Sequence, residues 1–148
     1  MKKLTLIFGT LIMLGYLMSC GMPKGIGIGD NGKLKEPPKT PNCVSTQADT
    51  SDHTHYMEAW TFDQLSSAKE KILKAIEDFG NTKVISQSDR YIHAVFTTGW
   101  MKYRDDVEFY FDENEKLIHF RSASRVGIGD MGVNRKRMKR LKEMYLSE

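Results

Sequence analysis

Between residues 105 and 125 the chain carries two acids, two bases, a tyrosine and a histidine at alternating positions. Alternation over Asp105 to Asp112 and over Lys116 to Arg125 places Asp106, Glu108 and Tyr110 on one strand face, with His119, Arg121 and Arg125 on the same face of the next strand. The turn residues Glu113-Asn114-Glu115 lie between them. A two- or four-residue loop there sets Glu108 opposite Arg121 and Tyr110 opposite His119, with Phe109 opposite Phe120 and Phe111 opposite Ile118 on the other face. Carboxylates beside an imidazole are equipment for proton transfer, and guanidinium groups for holding a phosphate or carboxylate. The same residues also suit an ordinary solvated face carrying a cross-strand ion pair.

The second candidate is the corner that follows. Gly127-Ile128-Gly129-Asp130-Met131-Gly132 fits G-x-G-x-x-G after a strand and before a helix. Only sixteen residues remain beyond it, with no second parallel strand to complete a dinucleotide fold, so no nucleotide cofactor is expected. A simpler role survives, in which backbone amides at Gly127 and Gly129, flanked by Arg121, Arg125 and Arg135, hold an anion. The alternative is a tight corner capped by Asp130 or Asn134. His53 and His55, with Glu58 following, suggest a metal, but a His-x-His pair without a third nearby ligand on a defined element is a weak signal, so no metal is expected. Ser122 and Ser124 point by parity toward the apolar face and sit in no nucleophile turn.

These residues need a scaffold. Leu65, Ala68, Ile72, Ala75, Ile76 and Phe79 recur at helical spacing, with Ser67 and Glu70 in capping-box spacing and Gly80 as the stop. Lys83 to Gln87 and Arg90 to Thr98 read as strands, the second alternating Ile92, Ala94 and Phe96 against Tyr91, His93 and Val95. The segment from Asn42 through His53 and Trp60 reads as an irregular lead-in. A last helix over about Asn134 to Leu146 turns Val133, Met138, Leu141 and Tyr145 inward and Arg135, Lys136, Arg137, Lys139, Arg140 and Lys142 outward, a basic face able to rest on anionic headgroups. The expected fold is α+β over residues 42–148. It is a four-stranded antiparallel meander with one helix before it and a basic helix after it, both on one face.

The N-terminus gives an address. Lys2 and Lys3 precede an apolar run, Leu4 to Leu17, too short to span a bilayer. Leu17-Met18-Ser19-Cys20-Gly21 then resembles the lipobox of bacterial lipoproteins. That resemblance implies a signal peptide over 1–19, cleavage before Cys20 and acylation of Cys20, palmitate included. It also implies attachment to the cell membrane or outer membrane, with the domain outside the cytoplasm. Residues 20–41, rich in Gly, Pro and Lys, read as a flexible tether reaching about 25 Å. Without Lys2 and Lys3 the balance is 20 basic to 19 acidic residues, so overall charge predicts no polyanion partner, and the compartment argues against nucleic acid. With Cys20 lipidated, Cys43 is the only other thiol and is expected to be buried.

Pro41-Asn42-Cys43-Val44-Ser45, His55 to Glu58, Asp105-Asp106-Val107-Glu108-Phe109, Arg121-Ser122-Ala123-Ser124-Arg125-Val126-Gly127, Asp130, Gly132-Val133-Asn134-Arg135 and Arg137 are together similar to the domain-of-unknown-function 1499 family. The resemblance runs from about Pro41 to Leu141 and implies no established activity. It departs from the family pattern at Ala59, where a Pro is expected, and at Ile128, where an aromatic is expected. The sequence therefore points to a membrane-anchored binding domain for an anionic ligand or an envelope partner. The alternatives are a hydrolase-like enzyme acting on a phosphate- or carboxylate-bearing substrate, or a purely structural envelope protein.

Overall fold

The computed structural model describes residues 25–148, so the lipobox and Cys20 lie outside the described residues. In chain order the elements are β1 (Cys43–Ser45), β2 (Trp60–Thr61), α1 (Leu65–Phe79), β3 (Thr82–Ser88), β4 (Tyr91–Thr97), β5 (Arg104–Asp112), β6 (Leu117–Ser124) and α2 (Val133–Ser147). They form an α+β fold in which one antiparallel six-stranded sheet runs β1-β6-β5-β4-β3, with β2 also paired to β6. The meander β3 to β6 follows the expected order. Two further strands, β1 and β2, lie in the stretch expected to be irregular. At three residues and two residues they are too short for alternation to show.

The β5–β6 register follows from parity. Glu108 pairs with Arg121, Phe109 with Phe120, Tyr110 with His119 and Phe111 with Ile118. The loop between the strands holds four residues; Asp112 Oδ1 accepts the amides of Asn114 and Glu115 and so shapes the turn.

One face of the sheet carries the core. Ile92, Ala94 and Phe96 of β4, Val107, Phe109 and Phe111 of β5, and Ile118 and Phe120 of β6 pack with Ala68, Ile72, Ala75 and Ile76 of α1 and Met138, Leu141 and Tyr145 of α2. Trp60 sits among them, its ring 5.1 Å from Phe120 and 5.7 Å from Tyr145. Burying each such ring contributes about 1.5–3 kcal/mol. α1 starts at Leu65, with Gln64 at its N-cap and no side-chain cap bond. The expected capping box at Ser67 is therefore not the start, because Leu65 packs against the core and belongs to the helix. Gly80, at φ 79°, ends it as expected.

α2 departs from the expected amphipathic pattern at one residue. Arg137, assigned to the outer basic face, is 5% exposed. It turns inward because Asp105 lies at the odd-numbered, helix-facing end of β5. Arg137 Nη2 donates to Asp105 Oδ2, and Nη1 donates to Ser122 Oγ at 3.1 Å and Asn134 Oδ1 at 2.6 Å. Asn134, fully buried, also accepts from Ser122 Oγ and donates through Nδ2 to Asn42 O, Ser124 Oγ and Asp130 Oδ2. Helix, sheet and N-terminal strand thus meet at one polar knot.

A buried charge that loses its partner is strongly destabilising. Arg137→Ala is expected to lower unfolding free energy by about 3–5 kcal/mol, whereas Lys136→Ala next to it should stay within about 0.5 kcal/mol. Urea unfolding of the two variants checks this, and equal losses would return Arg137 to the solvated face.

Candidate functional site

The face of the sheet away from the helices is polar and closed. Glu108, fully buried, receives Tyr91 Oη at 2.7 Å, Arg121 Nη1 at 3.1 Å and the backbone amide of Gly27 at 2.7 Å. Beside it Asp106 takes a bidentate bond from Arg125, Nε to Oδ2 at 2.9 Å and Nη2 to Oδ1 at 2.8 Å, and a contact from His93 Nε2 at 2.8 Å. Tyr91 and His93 were not among the expected site residues. Their alternation placed them opposite Ile92 and Ala94, but only the β4–β5 register, His93 against Glu108 and Tyr91 against Tyr110, brings them to this cluster. The loop before β5 offered no turn signal to set that register.

Electrostatics follow burial. Burial and the Glu108 carboxylate push the Tyr91 hydroxyl well above its ordinary value. Burial, helped by the Glu108 and Asp130 carboxylates, raises Cys43, free and buried behind the same face, to about 11, although Arg121 pulls it the other way. Asp106 behaves oppositely: burial favours its neutral form, but the bonds from His93 and Arg125 outweigh it and hold the carboxyl below 3.8.

Part of the stretch expected to be a flexible tether is folded against this face. Ile28 bridges Leu34 around a turn in which Gly29 N donates to Lys33 O at 2.7 Å. Leu34 is 3% exposed, and its amide donates to Gln47 Oε1. Gly32, at φ 73°, makes the turn possible.

The expected anion corner does not assemble. Arg121 is committed to Glu108 and Arg125 to Asp106, while Arg135 Nη2 reaches the carbonyls of His53, Thr54 and Tyr56. Asp130 accepts the amides of Gly132 and Asn134, so the start of α2 is met by a carboxylate of the chain itself. Gly127 O accepts from Asn42 Nδ2, and Gly127 takes φ 86°, a backbone corner; Gly129 lies in the loop beyond it.

Tyr110 and His119 stack with ring centroids 6.3 Å apart, and His119 Nδ1 lies 3.1 Å from Thr46 Oγ1. Burial lowers the His119 pKa. Asp112, Glu115 and His119 bring one potential ligand atom each within 4.8 Å of one another at the hairpin end. Of the histidines weighed as a metal pair, His55 is engaged internally, Nδ1 with Asp52 Oδ2 at 2.6 Å and Nε2 with Thr40 O at 3.0 Å.

A different place is open. The β4–β5 loop, residues 98–103, and the β6–α2 loop, residues 125–132, enclose a cleft of about 450 Å³ lined by Gly99, Trp100, Met101 and Tyr103 on one side and Val126, Gly129 and Met131 on the other. Trp100 and Met131 are each 93% exposed. Asp105, Ser124 and Asp130, with Thr98, Gly127 and Val133 beside them, complete the lining. Asp105 is 1% exposed, and among the described residues its Oδ1 has no hydrogen-bond partner, Arg137 donating to Oδ2. The 127–132 corner was expected from its glycines as an anion site and not as an apolar wall, and the 98–103 loop carried no signal because its apolar residues follow no periodicity.

Fold and site together define an α+β domain with one helix-covered face, one ion-paired face and an apolar loop cleft. The profile of the family described as "Protein of unknown function (DUF1499)" matches residues 33–144, and the chain belongs to that family. No match to a curated protein was found. Among the described residues no helix is long and apolar enough to cross a membrane.

Because its folded pKa is depressed, Asp106 contributes stability in full above pH 3.8, and that contribution is lost as pH falls from there through the folded value. Asp106→Asn should therefore lower stability at neutral pH and flatten the loss on acidification. Circular dichroism melts across the acid range test this; an unchanged acid slope would mean that the pair contributes nothing through ionisation.

Proposed function

We propose that the chain is a lipid-anchored binding domain of the bacterial cell envelope, held outside the cytoplasm through Cys20, and that its ligand site is the cleft between the 98–103 and 125–132 loops. The observation that carries the site is Asp105 Oδ1. A buried carboxylate oxygen that no donor among the described residues reaches costs free energy until one does, and Asp105, the residue that carries this one, is among those lining the cleft. The ligand class that satisfies both parts is an amphiphile, an apolar group against Trp100, Met101 and Met131 with a hydroxyl or amine toward Asp105. An anionic ligand bound by Arg121, Arg125 and Arg135 is less well supported, since each already has internal acceptors. A hydrolase reading has the His93–Asp106 contact in its favour, but both groups are buried on the ion-paired face at 1% and 2% exposure.

Decanol and decylamine, against decane as the donor-free control, are the probes. At a hundred times its dissociation constant a ligand stabilises by about 2.7 kcal/mol, visible as a rise of several degrees in Tm. Gly129→Leu fills the cleft at a position where an added Cβ meets nothing within 4 Å and should abolish the shift without lowering the unliganded Tm. A shift that survives this substitution, or none with either donor probe, would remove the cleft from consideration.

A further inference from the structure

We infer that the two loop tips form a docking surface for an anionic lipid bilayer, with Trp100 and Met131 entering the interfacial layer and a cationic rim resting on the headgroups. Trp100, Met131 and Ile128 are 93%, 93% and 76% exposed, and Met101, Tyr103 and Val126 stand beside them at 45–55%. Apolar side chains gathered at two adjoining loops form a contiguous patch, and such patches mark interaction sites. Tryptophan and tyrosine favour the level of the headgroups.

Charge selects the occupant. A second groove shares Thr98, Gly99 and Val133 with the first and is lined by Lys136 and Arg140. Lys102 and Arg104, in and beside the first loop, are exposed as well. The acidic groups lining the two grooves are Asp105 and Asp130; the first is buried and ion-paired, and the second accepts the amides of Gly132 and Asn134. The patch therefore presents an apolar centre with a positive border, the complement of an anionic bilayer surface. Two copies meeting face to face across a two-fold axis would set these positive borders against each other.

The inference stands apart from the amphiphile reading of the cleft, since docking needs the rim and not the interior, and Gly129→Leu separates them. That variant should lose decanol stabilisation and still dock. The experiment mixes the full chain with vesicles of phosphatidylcholine alone or in equal mixture with phosphatidylglycerol. Trp100 fluorescence is the readout, with Trp60, 3% exposed, as the buried reference and Trp100→Phe to assign the signal.

On anionic vesicles Trp100 emission should shift to the blue, lose access to iodide and be quenched by bromines on the acyl chains. The readout is local, so an acyl anchor on Cys20 cannot mimic it. Ile128→Asp with Met131→Asp should return Trp100 to water even on a vesicle-attached chain. Lys102→Gln and Lys136→Gln should each weaken docking about fivefold. If Trp100 on an attached chain stays open to iodide and untouched by the brominated lipid, the inference fails. It fails equally if Trp100 becomes shielded without vesicles as protein concentration rises, for then a second copy covers the patch.

Discussion

The ion pair between Asp105 and Arg137 is the constraint on which the rest depends. Both groups are almost wholly removed from water, and neither can remain charged there without the other. The pair fixes α2 against the start of β5, and Asn134 extends the fixation to Asn42, Ser122, Ser124 and Asp130. Because β6 reaches this knot through Ser122 and Ser124, the tight corner at Gly127 follows from it. So does the projection of the 125–132 loop beside the 98–103 loop.

The opposite face is built on the same principle. Glu108 and Asp106 are buried beneath the sheet, and each is matched by an arginine and a second donor. Most of the charged residues through which the chain resembles its family, and several of the polar ones, are engaged in one of these two networks. Asn42, Asp105, Ser122, Asn134 and Arg137 belong to the first, and Asp106, Glu108, Arg121 and Arg125 to the second. A specific motif of charged residues is thus accounted for by folding, since buried ions tolerate neither shortened side chains nor altered spacing. Binding then falls to the loops, where exposed apolar side chains and a half-satisfied carboxylate occur together.

What the sequence revealed and what it withheld have physical reasons. Alternation and loop parity decided the β5–β6 register residue by residue, because a slip of one position would have turned Phe109 and Phe120 into water. The helix stripes were legible for the same reason, since burial imposes a period. The three-residue and two-residue strands β1 and β2 escaped because a period needs length. Arg137 was misplaced because helical spacing tells which way a side chain points and not that a carboxylate waits on the adjacent strand. Of the candidate site, the cluster of Asp106, Glu108, Arg121 and Arg125 was read from strand parity. Its closure, the addition of His93 and Tyr91, and the cleft at the loops all required the tertiary structure.

A double-mutant cycle on Asp105 and Arg137 measures how strongly the two residues depend on each other. Urea unfolding of Asp105→Ala, Arg137→Ala and the double variant gives the coupling, free of the separate cost of each truncation. If the pair holds the fold, the double variant loses less than the sum of the singles by about 1–3 kcal/mol, because it leaves no buried charge unmatched. Additivity within about 0.5 kcal/mol would show that the two residues act independently, and the knot could then no longer be the constraint that places the loops.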